Sequence, residues 1–424
     1  MPSIDTLSQV VLFEDANSQG LHFKPLTYTR PVSELRVGMF TAIERLQEII
    51  GPEIPVVIHC SKPLADVVAG RFPSLKVNSI EATPTTLFLN SRLLFTDHLH
   101  DIFRSEMNMV YKVEGQDEEV LAAVMTEVSA GLEKKLKAGT PISAKDFSAQ
   151  DSKELPKAKL FTSLWNMVNS NGVVIQNDIR RIIAKNTRKI HKQPRVFPKV
   201  GLREEKQVHF EEGCYVAPRA ALDATDGHIF IEKGVTIESG AVIMGPAVIR
   251  TGTTIRANAR VHEGTTIGPT CKIGGEVETS IFQGYANKQH DGFVGHSFIG
   301  EWCNLGAGTT TSDLRNDYSN VKVTIEDEVI ESKALFVGSY IGDHSKTAIG
   351  TLLNTGTVIG VCCNVFGYGF QPKWIPNFSW GGAQGIEKYQ TDKAIEVAKK
   401  VTGRRNVSFS DAEETLLKHL AKAK

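Results

Sequence analysis

Aliphatic residues recur at six-residue spacing through Ile231, Ile237, Ile243, Ile249, Ile255, Val261, Ile267 and Ile273. A helix repeats near 3.6 residues and an ordinary strand at 2. Period six held over this length marks a repeat architecture. Three residues after each of the first seven stand Gly234, Gly240, Pro246, Gly252, Asn258, Gly264 and Thr270, mostly turn formers. Gly and Asn tolerate the left-handed backbone that tight turns need. Four residues after each stand small side chains, Val235, Ala241, Ala247, Thr253, Ala259, Thr265 and Cys271. Each hexad supplies a short strand, a turn, one inward aliphatic and one small residue. Three hexads close one triangular coil of a parallel β-helix, with stacked aliphatics filling its axis. The pattern breaks after Ile273, resumes at Val294, Ile299 and Leu305, and continues through Thr347, Leu353, Ile359 and Val365. A loop over roughly 312–332 leaves the coil.

The first half has a different rhythm. Apolar runs at 9–14, 55–59 and 86–90 read as short buried strands, separated by helical patterns over 39–50 and 62–72. That alternation predicts a βαβ sheet. The pattern predicts one amphipathic helix over 116–138 ending at Gly139, a loop over 141–158, and partial helix over 160–185 anchored by Trp165 and Ile182. Residues 186–206, rich in Lys, Arg and Pro, read as a solvated linker. Residues 368–385 are rich in aromatics and Gly. Ser410 with Glu413 forms a capping-box signature that starts a C-terminal helix.

Length and composition narrow the class. A chain of 424 residues accommodates two domains. The 48 basic and 48 acidic residues balance, so no net charge points to nucleic acid or a membrane surface as partner. No apolar stretch approaches the ~18 residues of a membrane span, and no secretory leader pattern opens the chain. The six cysteines match no zinc or redox spacing, which suits free thiols in a reducing compartment. The expectation is a cytoplasmic protein.

Chemistry is expected where the repeat is interrupted, at 275–296 and 306–322. There the chain resembles the hexapeptide acyltransferases, and within them the C-terminal domain of the bifunctional enzymes that acetylate glucosamine-1-phosphate and uridylylate the product. The shared frame is Glu276-Val277, His290, Phe293-Val294-Gly295, Ile299-Gly300-Glu301 and Asn304-Leu305-Gly306-Ala307-Gly308-Thr309, with no gap between them. It extends more loosely to Phe336-Val337-Gly338-Ser339 and Gly356. The resemblance implies a left-handed coil, a homotrimer with sites between subunits, and acetyl-CoA as co-substrate. It implies His290 as general base, Glu276 as a carboxylate near the sugar amine, and the Ala307 N–H as oxyanion donor. It places Ser339 and Thr355 at coenzyme A, while Arg315 and Lys322 on the excursion loop are candidates to hold a sugar phosphate. An imidazole titrating near neutrality suits removal of a proton from an attacking amine. The bland reading of His290 is a surface-loop histidine, and His296 reads as a coil-surface residue rather than a second base. The family's Tyr is Phe293 here, its Asn-Tyr pair is Asp313-Leu314, and a Lys is Glu278.

The front half resembles the sugar-phosphate nucleotidyltransferases through Lys24-Pro25-Leu26-Thr27, Thr29-Arg30-Pro31 and Ser33-Glu34-Leu35-Arg36-Val37-Gly38 after the first strand. Its phosphate loop, Asp15-Ala16-Asn17-Ser18-Gln19-Gly20, holds one Gly where several are expected. His22 and Val32 replace the loop Arg and the Lys, and Asn90-Ser91 stands where a magnesium-binding Asp belongs. Mg2+ is therefore possible for this domain only without its usual ligand. Arg30 and Arg36 are substitute phosphate ligands or, equally, salt-bridging residues.

The expected architecture is an α/β Rossmann-like nucleotidyltransferase-type domain (1–190), a linker (191–207), a left-handed parallel β-helix of hexapeptide repeats (208–370) and a C-terminal extension with a helix (371–424). The leading functional expectation is acyl transfer from acetyl-CoA to an amino-sugar phosphate in sugar-nucleotide biosynthesis, with sugar phosphate and nucleotide as small-molecule partners. The alternatives are a sugar-1-phosphate nucleotidyltransferase with a purely oligomerising β-helix, and a non-catalytic sugar-nucleotide sensor or scaffold.

Overall fold

The computed structural model describes residues 7–81, 84–94, 102, 107–147, 151–186, 188, 195–196 and 200–422. In the front domain, seven strands form one sheet: β1 (Gln9–Phe13), β2 (Val56–Ile58), β3 (Lys76–Val77), β4 (Thr86–Asn90), β5 (Met109–Val113), β6 (Gln116–Met125) and β7 (Asp151–Leu155). Their order is β3-β2-β1-β4-β6-β5-β7. Strand β1 lies parallel to both β2 and β4, with Val10 opposite Val56 and Leu87. Every residue of β1 and β4 is buried, as parallel strands covered on both faces require. The helices α1 (Ala42–Ile50) and α2 (Ala65–Arg71) fall within the expected stretches.

The long helix expected over 116–138 is instead strand β6 followed by α3 (Ala130–Ala138), which does end at Gly139 in the left-handed conformation. Glu, Leu, Ala and Met across 118–125 favour helix locally. Pairing with both β4 and β5 overrides that preference, because six consecutive residues of β6 bury on both faces. The expected loop over 141–158 likewise contains a short helical turn, Ala144–Phe147, and β7. Helix α4 spans Leu164–Lys185, with Trp165 and Ile182 buried as anchors.

The second half is the left-handed parallel β-helix. Ile231 aligns with Ile249 and Ile267, and Ile237 with Ile255 and Ile273, so consecutive coils are three hexads apart. These inward residues are completely buried. Each contributes on the order of 1.5–3 kcal/mol by leaving water. Strands at 195–196 and 201–203 already join the first coil, so the prism begins inside the stretch read as linker. It also continues past 370, because Trp374–Ile375 and Ser379–Gly382 pair with the coils before them. The excursion over 312–332 carries a hairpin, Lys322–Ile325 against Glu328–Glu331.

Of the prism's three faces, the front domain covers one. Ile175, Ile179 and Ile182 of α4 pack on Phe230 and Val248, and Leu164, Trp165 and Val168 pack near Ile281, Phe298, Tyr340 and Val358. Polar groups fix this register. Asn171 accepts from the Gly38 N–H at 2.6 Å and donates to the Gly264 carbonyl at 2.7 Å. Gly38 has φ +67, and a Cβ there would meet an Asp178 carboxylate oxygen at 2.4 Å, so Gly is required. Asp178 forms a buried ion pair with Arg45. The C-terminal extension forms two helices, α5 (Thr391–Gly403) and α6 (Asp411–Leu420), where one was expected. The Ser410–Glu413 capping box starts α6. Ile395, Leu416, Leu417 and Leu420 share a core with Val67 and Val68 of the front domain and with Val361 and Phe378 of the prism. All six cysteines are free and buried.

Candidate functional site

The prism face over Lys272, Asn287, Asn304 and Lys346 meets the face over Glu276, Phe293, Thr310 and Leu352 at one corner. The 275–296 interruption falls there. The register that stacks Asn287 on Asn304 and Asn304 on Lys346 puts His290, Ala307 and Ile349 at this corner in consecutive coils. Neighbouring coils are ~4.8 Å apart. Hydrogen bonds from Gly308 N to Asp291 O at 2.9 Å and from Gly350 N to Ala307 O at 2.7 Å lock the stack. A Cβ on Gly306 would lie 2.5 Å from the Ala348 carbonyl, so the turn admits no side chain there.

His290 is exposed, and Ala307 is half-buried. The Ala307 N–H makes no hydrogen bond among the described residues, whereas Gly306 N and Thr309 N are satisfied within the coil. An exposed imidazole therefore lies one coil from a free backbone donor. Glu276 is on the adjoining face but is not a lone carboxylate: Arg260 donates to it, and His262 Nε2 lies 3.1 Å from its other oxygen. Phe293, where the family has Tyr, lays its ring against Gly295, whose Cβ would meet it at 2.5 Å.

Sequence reasoning missed two features. Lys288 occupies the inward position aligned with Ile273, in the aliphatic column. It is 1% exposed and donates to the carbonyls of Gly274 and His290, both at 2.9 Å. Burial pulls its ammonium down to about 8. Counting back six residues from Val294 would have revealed it, because the step from Ile273 departs from the hexad spacing. The second is His296, read as a coil-surface residue. Its Nδ1 lies 2.8 Å from Asp313 and its ring stacks on Phe336 with centroids 4.9 Å apart. It stands at the opposite end of strand Phe293–Gly295 from His290.

The other expected residues lie elsewhere. Ser339 and Thr355 are buried, and the Ser339 hydroxyl has no partner among the described residues. Neither side chain reaches the surface of the single chain. Arg315 pairs with Asp317 at 2.8 Å and Lys322 with Glu331 at 2.7 Å, both on the exposed excursion. Arg30 is buried against Asp343 and Glu301 of the prism, and Arg36 donates to Met39 O, Gln283 O and Glu44. Of the two readings open for these arginines, the salt-bridging one describes their contacts, and those contacts join the domains.

In the front domain, the cleft at the ends of β1 and β4 is lined by Asp15, Asn90, Glu118 and Glu119 and by no Lys or Arg among the described residues. The cation beside it, Arg92, is 1% exposed and bonded to Asp15, Glu119 and the Phe161 carbonyl. Burial opposes ionisation of Asp15, but Arg92 outweighs it and holds the carboxyl below its usual range. Asn90 donates to Asp15 at 2.9 Å and accepts from Arg92 N at 3.0 Å. Asp15 and Asn90 are committed to Arg92 and to each other, so neither stands free in place of the family's magnesium-binding Asp. Glu14, buried beneath, is raised to about 7 by burial and accepts from Val32 N.

Residues 10–187 match the sugar nucleotidyl transferase family. The chain is 34% identical over 142 residues to a bifunctional sugar-1-phosphate nucleotidylyltransferase/acetyltransferase of Sulfurisphaera tokodaii, covering 33% of this chain and 35% of that one. It is 34% identical over 137 residues to the bifunctional protein GlmU of Methanococcus aeolicus, covering 32% and 33%. Over 151 residues it is 30% identical to a putative uncharacterized acetyltransferase, YaiX, of Escherichia coli K12, covering 35% and 66%. The chain thus spans about a third of the length of the first two relatives. Among the described residues, no helix is long and apolar enough to cross a membrane.

Proposed function

We propose that this chain transfers an acyl group from acetyl-CoA to the amine of an amino-sugar phosphate, in sugar-nucleotide biosynthesis. The observation that carries the reading is the exposed His290 one coil from the unpaired Ala307 N–H. The acceptor nitrogen attacks the thioester carbonyl. The C–N bond forms, the developing oxyanion is held by the Ala307 N–H, and the C–S bond breaks. His290 takes the proton from nitrogen and returns it to the leaving thiolate. Lys288, bonded to the His290 carbonyl, fixes the corner that presents the imidazole. Glu276 orients the acceptor amine, and Arg315 and Lys322 hold its phosphate once their surface pairs with Asp317 and Glu331 exchange. Ser339 and Thr355 serve the donor through the backbone beside them.

The chain works as a homotrimer in this reading. Ile349, above Ala307 at the same corner, is 84% exposed, and Phe370, stacked on Leu352 of the adjoining face, is 60% exposed. An exposed apolar column beside a reactive corner suits a site completed by a second copy. The front domain, with Arg30, Arg36 and Arg92 held in internal ion pairs, supports the prism rather than turning over a nucleoside triphosphate.

Thiol release from acetyl-CoA with a panel of amino-sugar 1-phosphates tests the reading. His290→Ala is expected to lower kcat by about 10²–10⁴, the range of general base catalysis. A variant with unchanged turnover would remove it.

A further inference from the structure

A cleft on the prism lies on the other side of the His290 corner, between the Lys272–Asn287–Asn304–Lys346 face and the end of α5. Its volume is about 420 Å³, within the range of small-molecule sites. Lys272, Lys346, Arg404 and Arg405 line it, beside Tyr285 and Trp302, and no carboxylate does. None of these four cations forms an ion pair among the described residues, although three lysines of α5 and α6 do: Lys399 and Lys418 with Glu414, and Lys400 with Glu396. Arg405 is aimed by Asn287, which accepts from it at 3.1 Å. Lys346 is half-buried, and burial lowers its ammonium from the usual range. Tyr285 and Trp302 stack with centroids 4.2 Å apart and stiffen the wall. Four like charges gathered without counter-charge, in a chain of formal net charge zero, repel one another unless an anion joins them.

We propose that this cleft binds the phosphates of a nucleotide. Arginines presenting planar forks and lysines presenting point charges on opposite walls suit a diphosphate. Two sources share that chemistry, the nucleotide end of coenzyme A and a nucleoside diphosphate-sugar. Gln289 lines the cleft and is followed by His290, so a ligand anchored here extends directly to the reactive corner. The proposal extends the acyl-transfer reading to the donor's nucleotide end, yet it is tested by binding alone.

The test titrates the full chain with coenzyme A, 3′,5′-ADP, UDP and inorganic pyrophosphate, read by calorimetry and by Trp302 fluorescence. At least one nucleotide is expected to bind in the micromolar range, with affinity falling as salt rises. The double variant Arg404→Gln/Arg405→Gln is expected to weaken it at least tenfold, and Lys272→Gln, on a different element, to weaken it as well. His290→Ala should bind like the wild type, so failed catalysis and failed binding are separable. Preference for coenzyme A and 3′,5′-ADP assigns the donor as source, and preference for UDP assigns the nucleotide-sugar. Pyrophosphate binding as tightly as any nucleotide, no binding below millimolar, or unchanged affinity in both cleft variants would overturn the proposal.

Discussion

The front-domain cleft and the prism corner treat charge in opposite ways. At the end of β1 and β4, Arg92 is enclosed by Asp15 and Glu119, and Asn90 completes the network. At the prism corner an imidazole is exposed, and among the described residues the Ala307 N–H has no acceptor and four cations nearby have no carboxylate partner. A buried cation surrounded by carboxylates is a structural element, because its field is already cancelled where a ligand would need it. Cations left uncancelled around a cleft are available to a ligand. Among the described residues, the front-domain cleft has its cation enclosed by carboxylates, while the cleft beside the prism corner has cations with no carboxylate in its lining.

The comparison can be broken most sharply by kinetics. His290→Ala should lose the 10²–10⁴ in acetyl transfer named above, while Arg92→Ala should leave kcat near wild type. Asp313→Asn refines this: if His296 is only structural, thiol release should stay within a few fold of wild type in a steady-state assay.

Stability should show the reverse ranking. Arg92→Ala leaves Asp15 and Glu119 without their counter-charge, and urea unfolding should register a loss of about 3–5 kcal/mol. Their partial exposure places the value toward the lower end. His290→Ala, on an exposed side chain, should change stability by roughly 0.5 kcal/mol or less.

Lys288 gives a pH signature. Its folded value of about 8 lies below the usual 10.5 of a lysine. Between those values the unfolded chain holds the proton that the folded chain releases, so stability rises with pH across that window. Subtracting a Lys288→Met variant removes the thiols and tyrosines common to both proteins. The unfolding free energy of the wild type relative to the variant should climb by on the order of 3 kcal/mol from pH 8 to above 10.5. A flat difference would mean that this ammonium is solvated.

A smaller effect is expected on the acid side. His344 is buried between Trp302 and Phe409 and is held down to about 3 by burial. Its neutral form supports the fold above the ordinary histidine value, and that support fades as pH falls from about 6.5 toward 3. His344→Phe should therefore flatten part of the loss of melting temperature between pH 6.5 and 5 without altering thiol release at pH 8.

These differences also explain what the sequence made legible. The prism could be read because every hexad carries the same local signal, and Ile231, Ile249 and Ile267 align as the spacing required. The His290–Ala307 corner could be read because both residues belong to one ungapped stretch. Strand β6 was misread because its helical propensity is local while its pairing with β4 and β5 is not. The ion pairs of Arg30 depended on Asp343 and Glu301, far along the chain, which no local pattern announces. The cationic cleft was equally hidden, since Arg404 and Arg405 reach Lys272 and Lys346 only after α5 docks between the domains.

The most direct test measures both activities in one preparation: thiol release from acetyl-CoA and pyrophosphate release from a nucleoside triphosphate, each with amino-sugar 1-phosphates. The account predicts thiol release that disappears in His290→Ala and survives Arg92→Ala, with no pyrophosphate formed by either variant or the wild type. Pyrophosphate formation without thiol release, lost in a front-domain variant and kept in His290→Ala, would contradict it.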